Sequence, residues 1–456
     1  MSKEKRIKNP DNKLGFGRLL LWSTSSVSVA LSALVLGFVS VYCTDTLGLE
    51  PVIVGTVLLI SKLVDGVTDL IAGVIIDKTQ TKWGKGRPYE IFMLFLWLST
   101  WGLFSVPTQF SNLAKYIWIF FMYVFMNAVC TTFLNGNNVV YMVRAFKTKE
   151  QQTKLTAYSG FFTMGAGFVF NILFPMGVAK IATSAAGWSR LIGMMALPLT
   201  VLGLVRMLTI KEQYNMEADV HSEQLKLTDV LTLFKTNRPA VMIGIVRFLF
   251  ATVSSMGVGV YYFTHVIGNV GLMGVTAAFS VIGLPLAFLM PGMRRKWGQD
   301  KMVTIGFIVC MIGYVIMFFA GSNFILVVIA GLFSAIGAVP FTMMFNMYII
   351  DCADYNEMLG NQRLEGTMGA LFGLTQKIGS AFGGFVLGAL LSLAHYDGTL
   401  AVQPESSIMA IRILASIVPL IFYVAIVLIM RHVKLTEKVK DFSHEQMAQA
   451  QQPAEA

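Results

Sequence analysis

The sequence predicts an all-α membrane protein of about twelve transmembrane helices in two six-helix halves. Three observations carry that reading. Of 456 residues, 55% are hydrophobic and only 13% charged, whereas a soluble globular chain carries about 25% charged residues. That composition leaves too little polar surface for a water-soluble exterior, so lipid must solvate much of the chain. Apolar runs near the roughly 20 residues a spanning helix requires recur from one end to the other. One long polar break, 210–238, divides them six and six.

In order, the runs cover 16–43, 52–75, 89–108, 114–141, 155–180 and 185–209, then 239–263, 269–291, 302–320, 323–350, 366–394 and 408–431. The first is rich in hydroxyls (Ser23, Thr24, Ser25, Ser26, Ser28, Ser32), and the second carries three charged residues. Pro88 opens the third, and the seventh carries Arg247. Backbone polar groups in hydrocarbon must be satisfied within each segment, which makes an all-helical bundle the simplest architecture. The expected organisation is a tail at 1–15, a helical half at 16–209, a linker at 210–238, a second half at 239–431 and a tail at 432–456.

Loop charge orients the runs. Lys78, Lys82, Lys85 and Arg87 come after the second, Arg144, Lys147, Lys149 and Lys154 after the fourth, and Arg294, Arg295, Lys296 and Lys301 after the eighth. The alternate loops are poor in Lys and Arg: 44–51 holds Asp45 and Glu50, and 395–407 holds Asp397 and Glu405. Positive charge stays inside, so both termini and the linker are expected in the cytoplasm of a bacterial cell, the protein lying in its plasma membrane. The net charge of +10 is spread over these short loops rather than gathered in a stripe, which argues against nucleic-acid binding. Cys43, Cys130, Cys310 and Cys352 lack metal-ligand spacing, so no metal is expected. Met1 to Lys13 is short and charged, without the apolar core of a signal peptide.

Lys62, Asp65 and Asp69 interrupt the second run. A charge near the centre of a span costs a few kcal/mol, so such groups face a cavity or a partner. Spacings of three, four and seven put all three on one helix face. Two carboxylates one turn apart, with Thr68 beside them, offer hard oxygens to a small alkali cation or a proton. A plainer alternative is a structural pair of Lys62 with Asp65, Asp69 capping the helix end. In the loop beyond, Gly84 and Gly86 permit a tight turn, and Asp77 and Arg87 suit an ion-pair latch that breaks in another conformation.

The run Asp77-Lys-Thr-Gln-Thr-Lys-Trp-Gly-Lys-Gly-Arg87-Pro-Tyr89 makes a resemblance specific. With Asp65 and Asp69 it resembles the glycoside–pentoside–hexuronide:cation symporter family, the melibiose-permease-like branch of the major facilitator superfamily. Asp351-Cys-Ala-Asp354-Tyr355-Asn-Glu357 with Arg363, Glu365 and Gly366 is similar too, as are Gln376-Lys377-Ile-Gly379-Ser380-Ala-Phe382 and Tyr42-Cys-Thr44-Asp45. The matches fall in both halves, so the resemblance covers essentially the whole chain. It implies the major facilitator fold, with substrate bound near the midplane and access alternating between the two sides. It also implies a coupling site at Asp65 and Asp69, joined by Lys62 and Thr68, with Lys377 near it or near the substrate. Asp77, Arg87, Arg144, Asp351, Asp354, Arg363 and Glu365 would form the cytoplasmic gate.

The chain departs from galactoside-transporting relatives. Their early Asp in the first span falls on Arg18, Leu19 or Ser25, their mid-span Asp in the fourth on Asn127, and a sugar-contacting Arg on Ser159 or Gly160. Melibiose itself is therefore not the expected substrate. Candidate substrate-binding residues are Trp22, Ser25, Asn127, Arg247, Asn346, Gln376 and Lys377. Neutral amides inside spans need partners and can bond sugar hydroxyls. Arg247 either snorkels toward the cytoplasmic surface or faces the cavity, where it would suit a hexuronide. Trp22, Tyr261, Tyr262, Phe341 and Phe345 are packing residues or sugar-stacking platforms.

The expected function is thus symport of a sugar, glycoside or hexuronide with Na⁺ or H⁺, without a cofactor, by a monomer in the bilayer. An uncoupled facilitator or a carrier of another organic solute is the alternative. No HExxH, GxSxG or Cys/His cluster supports a membrane enzyme.

Overall fold

The computed structural model describes residues 14–213, 237–279, 284–360, 365–400, 402–435 and 438–439. Among them the chain is helical, with an isolated bridge between Thr81 and Gly84 and no ladder. The helices are α1 (Phe16–Leu36), α2 (Pro51–Lys78), α3 (Phe92–Leu103), α4 (Asn112–Ala145), α5 (Lys149–Ile181) and α6 (Ala185–Thr209), then α7 (Arg238–Val266), α8 (Leu272–Phe279), α9 (Leu284–Trp297), α10 (Gln299–Ala320), α11 (Phe324–Met358), α12 (Glu365–Leu393) and α13 (Glu405–Met430). Among the described residues nine helices are long and apolar enough to cross a membrane. The remaining predicted runs correspond to α2, which carries five charged residues, to α3 behind its 3₁₀ turn Arg87–Ile91, and to α8 with α9.

Two compact units result. The first holds the described residues up to Leu49 and from Ile60 to Gln213; the second holds Glu50–Leu59 and the described residues from Asn237 onward. In the first, the hydroxyls of α1 form a packing seam. Ser28 donates to the Leu199 carbonyl at 2.7 Å and accepts from the Trp97 indole at 2.8 Å, while Ser23 and Ser32 bond α1's own backbone. In hydrocarbon, small polar residues let helices approach and give every hydroxyl an acceptor.

In the second unit glycines set the helix spacing. A Cβ on Gly379 of α12 would lie 2.3 Å from the Phe248 carbonyl of α7, and one on Gly383 2.4 Å from that of Thr252. Ser255 donates across the same seam to the Ser380 carbonyl at 3.0 Å.

Each unit contains the same twelve-residue element, a repeat that the sequence reading overlooked. Gly37, Tyr42, Thr44, Leu47 and Gly48 correspond to Gly257, Tyr262, Thr264, Ile267 and Gly268. Both copies turn π-helical, at Tyr42–Thr46 and Tyr262–Val266, and both end on a left-handed glycine, with φ 66° at Gly48 and 79° at Gly268. The Leu47 and Ile267 amides donate to the Tyr42 and Tyr262 carbonyls, each at 3.1 Å. Each tyrosine hydroxyl then ties the element to the chain leaving the unit's next long helix but one: Tyr42 accepts from Val106 N, and Tyr262 donates to the Gly321 carbonyl. An internal duplication is what a fold built from repeated halves predicts.

Candidate functional site

The first cluster lies in the first unit. Asp65 and Asp69 occupy one face of α2, as their spacing predicts, and Lys62 lies one turn back, where its charge acts on Asp65. Thr68 is committed elsewhere, donating to the Asp65 main-chain carbonyl at 3.0 Å. The partner that completes the pair comes from α4. The hydroxyl of Thr132, buried, is 3.0 Å from Asp65 Oδ1, 2.8 Å from Asp69 Oδ1 and 3.2 Å from the Asn127 carbonyl. One hydroxyl carries one proton, so it can donate to one of these oxygens at a time. The others converge on it as acceptors. Such a set of hard oxygens suits a monovalent cation or a shared proton.

Local geometry explains why Thr132 reaches α2. Residues Phe125–Thr131 of α4 form a π-helical turn, which widens the helix and rotates the residues beyond it. Thr131 donates to the Met126 carbonyl at 3.0 Å and the Asn127 amide to that of Tyr123 at 3.1 Å. Asn127, a substrate-binding candidate, thus belongs to the frame of the carboxylate cluster through its main chain. The sequence signal for Thr132 was the Thr131–Thr132 pair in mid-run; nothing local said that it would face α2.

Two substrate-binding candidates in α1 are packed inside the first unit. Ser25 is 1% exposed, and so is Trp22. The guanidinium of Arg206 lies 4.6 Å above the Trp22 ring, and Tyr141 and Phe146 close its edges. Of the two alternatives for Trp22, packing describes its place here: the ring is buried under Arg206. Arg206 in turn pairs with Glu90, both buried, and donates to Asn138 Oδ1 at 2.8 Å. This buried pair was also missed by the sequence reading.

The main chain of the basic loop receives a carboxylate from the chain just beyond α6. Glu212 accepts from three successive main-chain amides, Lys85, Gly86 and Arg87, at 2.8, 2.8 and 2.6 Å. Successive N–H groups form a nest for an anion. The Arg87 side chain donates to the Met207 carbonyl at 2.7 Å, capping the end of α6. The side chain of Asp77 lies outside the described residues, and the carbonyl of Arg144 accepts from Gln213 N at 3.0 Å.

In the second unit, Asp351 is buried and accepts from Gln299 at 3.1 Å, while the charges of Arg294, Asp300 and Asp354 act on it. Arg363 and the side chain of Glu365 lie outside the described residues. Farther along, Arg247 of α7 donates to Gln376 Oε1 of α12 at 2.5 Å and lies 3.9 Å above the ring of Phe345. Its guanidinium turns to α11 and α12. Gln376 and Asn346 are exposed and Lys377 is half-buried. Tyr261, Tyr262 and Phe341 are buried packing residues, Tyr261 against Tyr396 and Phe341 against Phe307. Phe345 presents a face to Arg247.

Comparison with known proteins addresses the family and the fold. A family model described as MFS/sugar transport protein matches residues 23–437. The glucuronide carrier protein homolog of Escherichia coli (strain K12) is 27% identical over 413 residues, 88% of each chain. The isoprimeverose transporter of Lactiplantibacillus pentosus is 24% identical over 400 residues, 84% of this chain and 82% of the relative. The crystal structure of the nucleoside transporter NupG shares the fold with a TM-score of 0.65 at 14% identity, over 93% of this chain and 100% of that one.

Proposed function

The chain belongs to the MFS/sugar transport protein family, and on that premise we propose that it carries a sugar or glycoside by symport with a monovalent cation, Na⁺ or H⁺. Its fold is the major facilitator fold; it is a multi-pass membrane transporter and not an enzyme. The names of its relatives, a glucuronide carrier homolog and an isoprimeverose transporter, support a sugar substrate. The observation that carries cation coupling is the Thr132 hydroxyl placed between the carboxylates of Asp65 and Asp69.

In this reading the cation draws the two anionic side chains and Thr132 together, and that ordering raises the affinity for the sugar. The coupling is reciprocal, so sugar must raise the affinity for the cation by the same factor. Lys62 supplies positive charge beside Asp65 when the cation has left. Asp77, Arg87, Arg144, Asp351, Asp354, Arg363 and Glu365 form the gate on the cytoplasmic side, and the loop charges set both termini there in a bacterial plasma membrane. The carrier works as a monomer by alternating access.

The test is uptake against a gradient in vesicles. Asp65→Asn and Asp69→Asn should abolish accumulation while leaving exchange of labelled for unlabelled sugar measurable. Accumulation at wild-type levels in both variants would remove the coupling site from α2.

A further inference from the structure

We infer that the chain carries two matched footholds for anionic phospholipid headgroups, one in each unit, at Lys82-Trp83-Gly84 and at Lys296-Trp297-Gly298. The inference rests on the reading that the basic loops face the cytoplasm; it requires neither the sugar nor the coupling ion.

The same three residues recur in the two halves, with Lys85 after the first glycine and Arg295 before the second lysine. Both glycines are left-handed, with φ 117° at Gly84 and 78° at Gly298. Glycine takes that conformation without steric cost, so the chain turns away directly after each tryptophan and leaves it at the outer point of the turn. The frames around the two turns differ. In the first unit the Thr81 carbonyl accepts from Gly84 N at 3.1 Å and its hydroxyl donates to the Gly84 carbonyl at 2.6 Å. In the second, Trp297 is the last residue of α9, and Gly298 N donates to the Arg294 carbonyl at 2.9 Å. Two frames thus give one presentation: Trp83 is 62% exposed and Trp297 39%, with Lys82, Arg295 and Lys296 exposed beside them.

Acids near these tips turn inward. Glu212 fills the amide nest behind the first tip, Glu90 pairs with Arg206, and Asp351 is buried against Gln299. A Cβ on Gly84 would lie 2.4 Å from the Glu212 carboxyl carbon, so the loop's own anion site is filled from within. An external anion therefore meets the tip through its side chains, which are cationic and aromatic.

The position fits a lipid. Trp297 ends α9, and Trp83 follows Lys78, the end of α2, by five residues, a reach of at most about 18 Å. Both tips therefore lie by the headgroup layer, where tryptophan rings settle and basic side chains meet lipid phosphates. A soluble phosphate would satisfy the cations but offer the indoles nothing to enter; a phospholipid engages both. Each basic group near an anionic surface strengthens attachment about fivefold.

The experiment places the full chain in phosphatidylcholine vesicles containing phosphatidylglycerol brominated high in its acyl chains, which quenches tryptophans it touches. The part of the quenching lost in Trp83→Phe with Trp297→Phe reports the two tips alone. That part should reach half-saturation at an at least fivefold lower mole fraction of brominated phosphatidylglycerol than of brominated phosphatidylcholine. Lys82→Gln with Arg295→Gln and Lys296→Gln should bring the two lipids within twofold, with melting unchanged. Equal quenching by the two lipids in the wild type, or selectivity that survives the triple substitution, would overturn the inference. Loss of the selective quenching to millimolar glycerol phosphate would make the tips sites for a soluble phosphate and overturn it as well. The side is tested separately: the four native cysteines are buried, so a membrane-impermeant maleimide should label Lys82→Cys in right-side-out vesicles only after permeabilisation. Labelling without permeabilisation would overturn the cytoplasmic placement and leave sugar transport standing.

Discussion

Arg206 and Glu90 form a two-pronged ion pair in which neither side chain is more than 1% exposed. The pair joins the start of the third helical segment to α6, and the Trp22 ring beneath it belongs to α1. Removing one member leaves the other charged, buried and unpaired, a loss of about 3–5 kcal/mol. Glu90→Ala or Arg206→Ala should therefore lower the melting temperature sharply in detergent. The double substitution Glu90→Leu with Arg206→Met should recover much of that loss, because no charge is then stranded.

The Thr132 side-chain hydroxyl reaches both carboxylates of α2. Thr132→Val keeps the shape and removes the oxygen, while Thr132→Ser keeps the oxygen. A hydrogen bond or ligand contact to a charged group contributes about 1.5–3 kcal/mol, so Thr132→Val should raise the cation concentration for half-maximal uptake at least about tenfold. Thr132→Ser should stay within about threefold of wild type, a difference of under 1 kcal/mol. Equal effects of the two would mean that Thr132 acts by packing.

Gly48 and Gly268 end the duplicated element at φ 66° and 79°. A Cβ in the left-handed region costs about 1–2 kcal/mol. Gly48→Ala and Gly268→Ala should each destabilise by that amount in thermal unfolding. Asparagine should be milder at both positions, because its side chain bonds the local backbone. Matching costs at the two sites would support the equivalence of the two copies.

The Arg247–Gln376 contact bears on how much of the site could be read from the chain alone. The residue types were visible: both stand as polar groups inside apolar runs, and such groups need partners. Their pairing was not visible. They lie 129 positions apart in the chain, and the seam that joins them depends on Gly379 and Gly383, whose spacing alone does not say which helix they admit. Trp22 is a second case: its own run leaves packing and sugar-stacking open, and the Arg206 guanidinium over its ring comes from far along the chain.

By itself the sequence determined the fold class, the limits of most helices and the shared face of Lys62, Asp65 and Asp69. Those properties follow from short-range rules: bilayer thickness demands runs of a certain length, and the helical repeat decides which residues share a side. Only the tertiary structure decided that Thr132 reaches both carboxylates, that Glu90 neutralises Arg206, that Glu212 fills the amide nest of the basic loop, and that Arg247 rests on the Gln376 amide. Each of those contacts depends on the rotation and register of one helix against another. In α4 a single π-helical turn resets the rotation, and in α7 and α12 two glycines set the register. Local periodicity carries neither quantity, which is why the helices were legible from the chain and the partners were not.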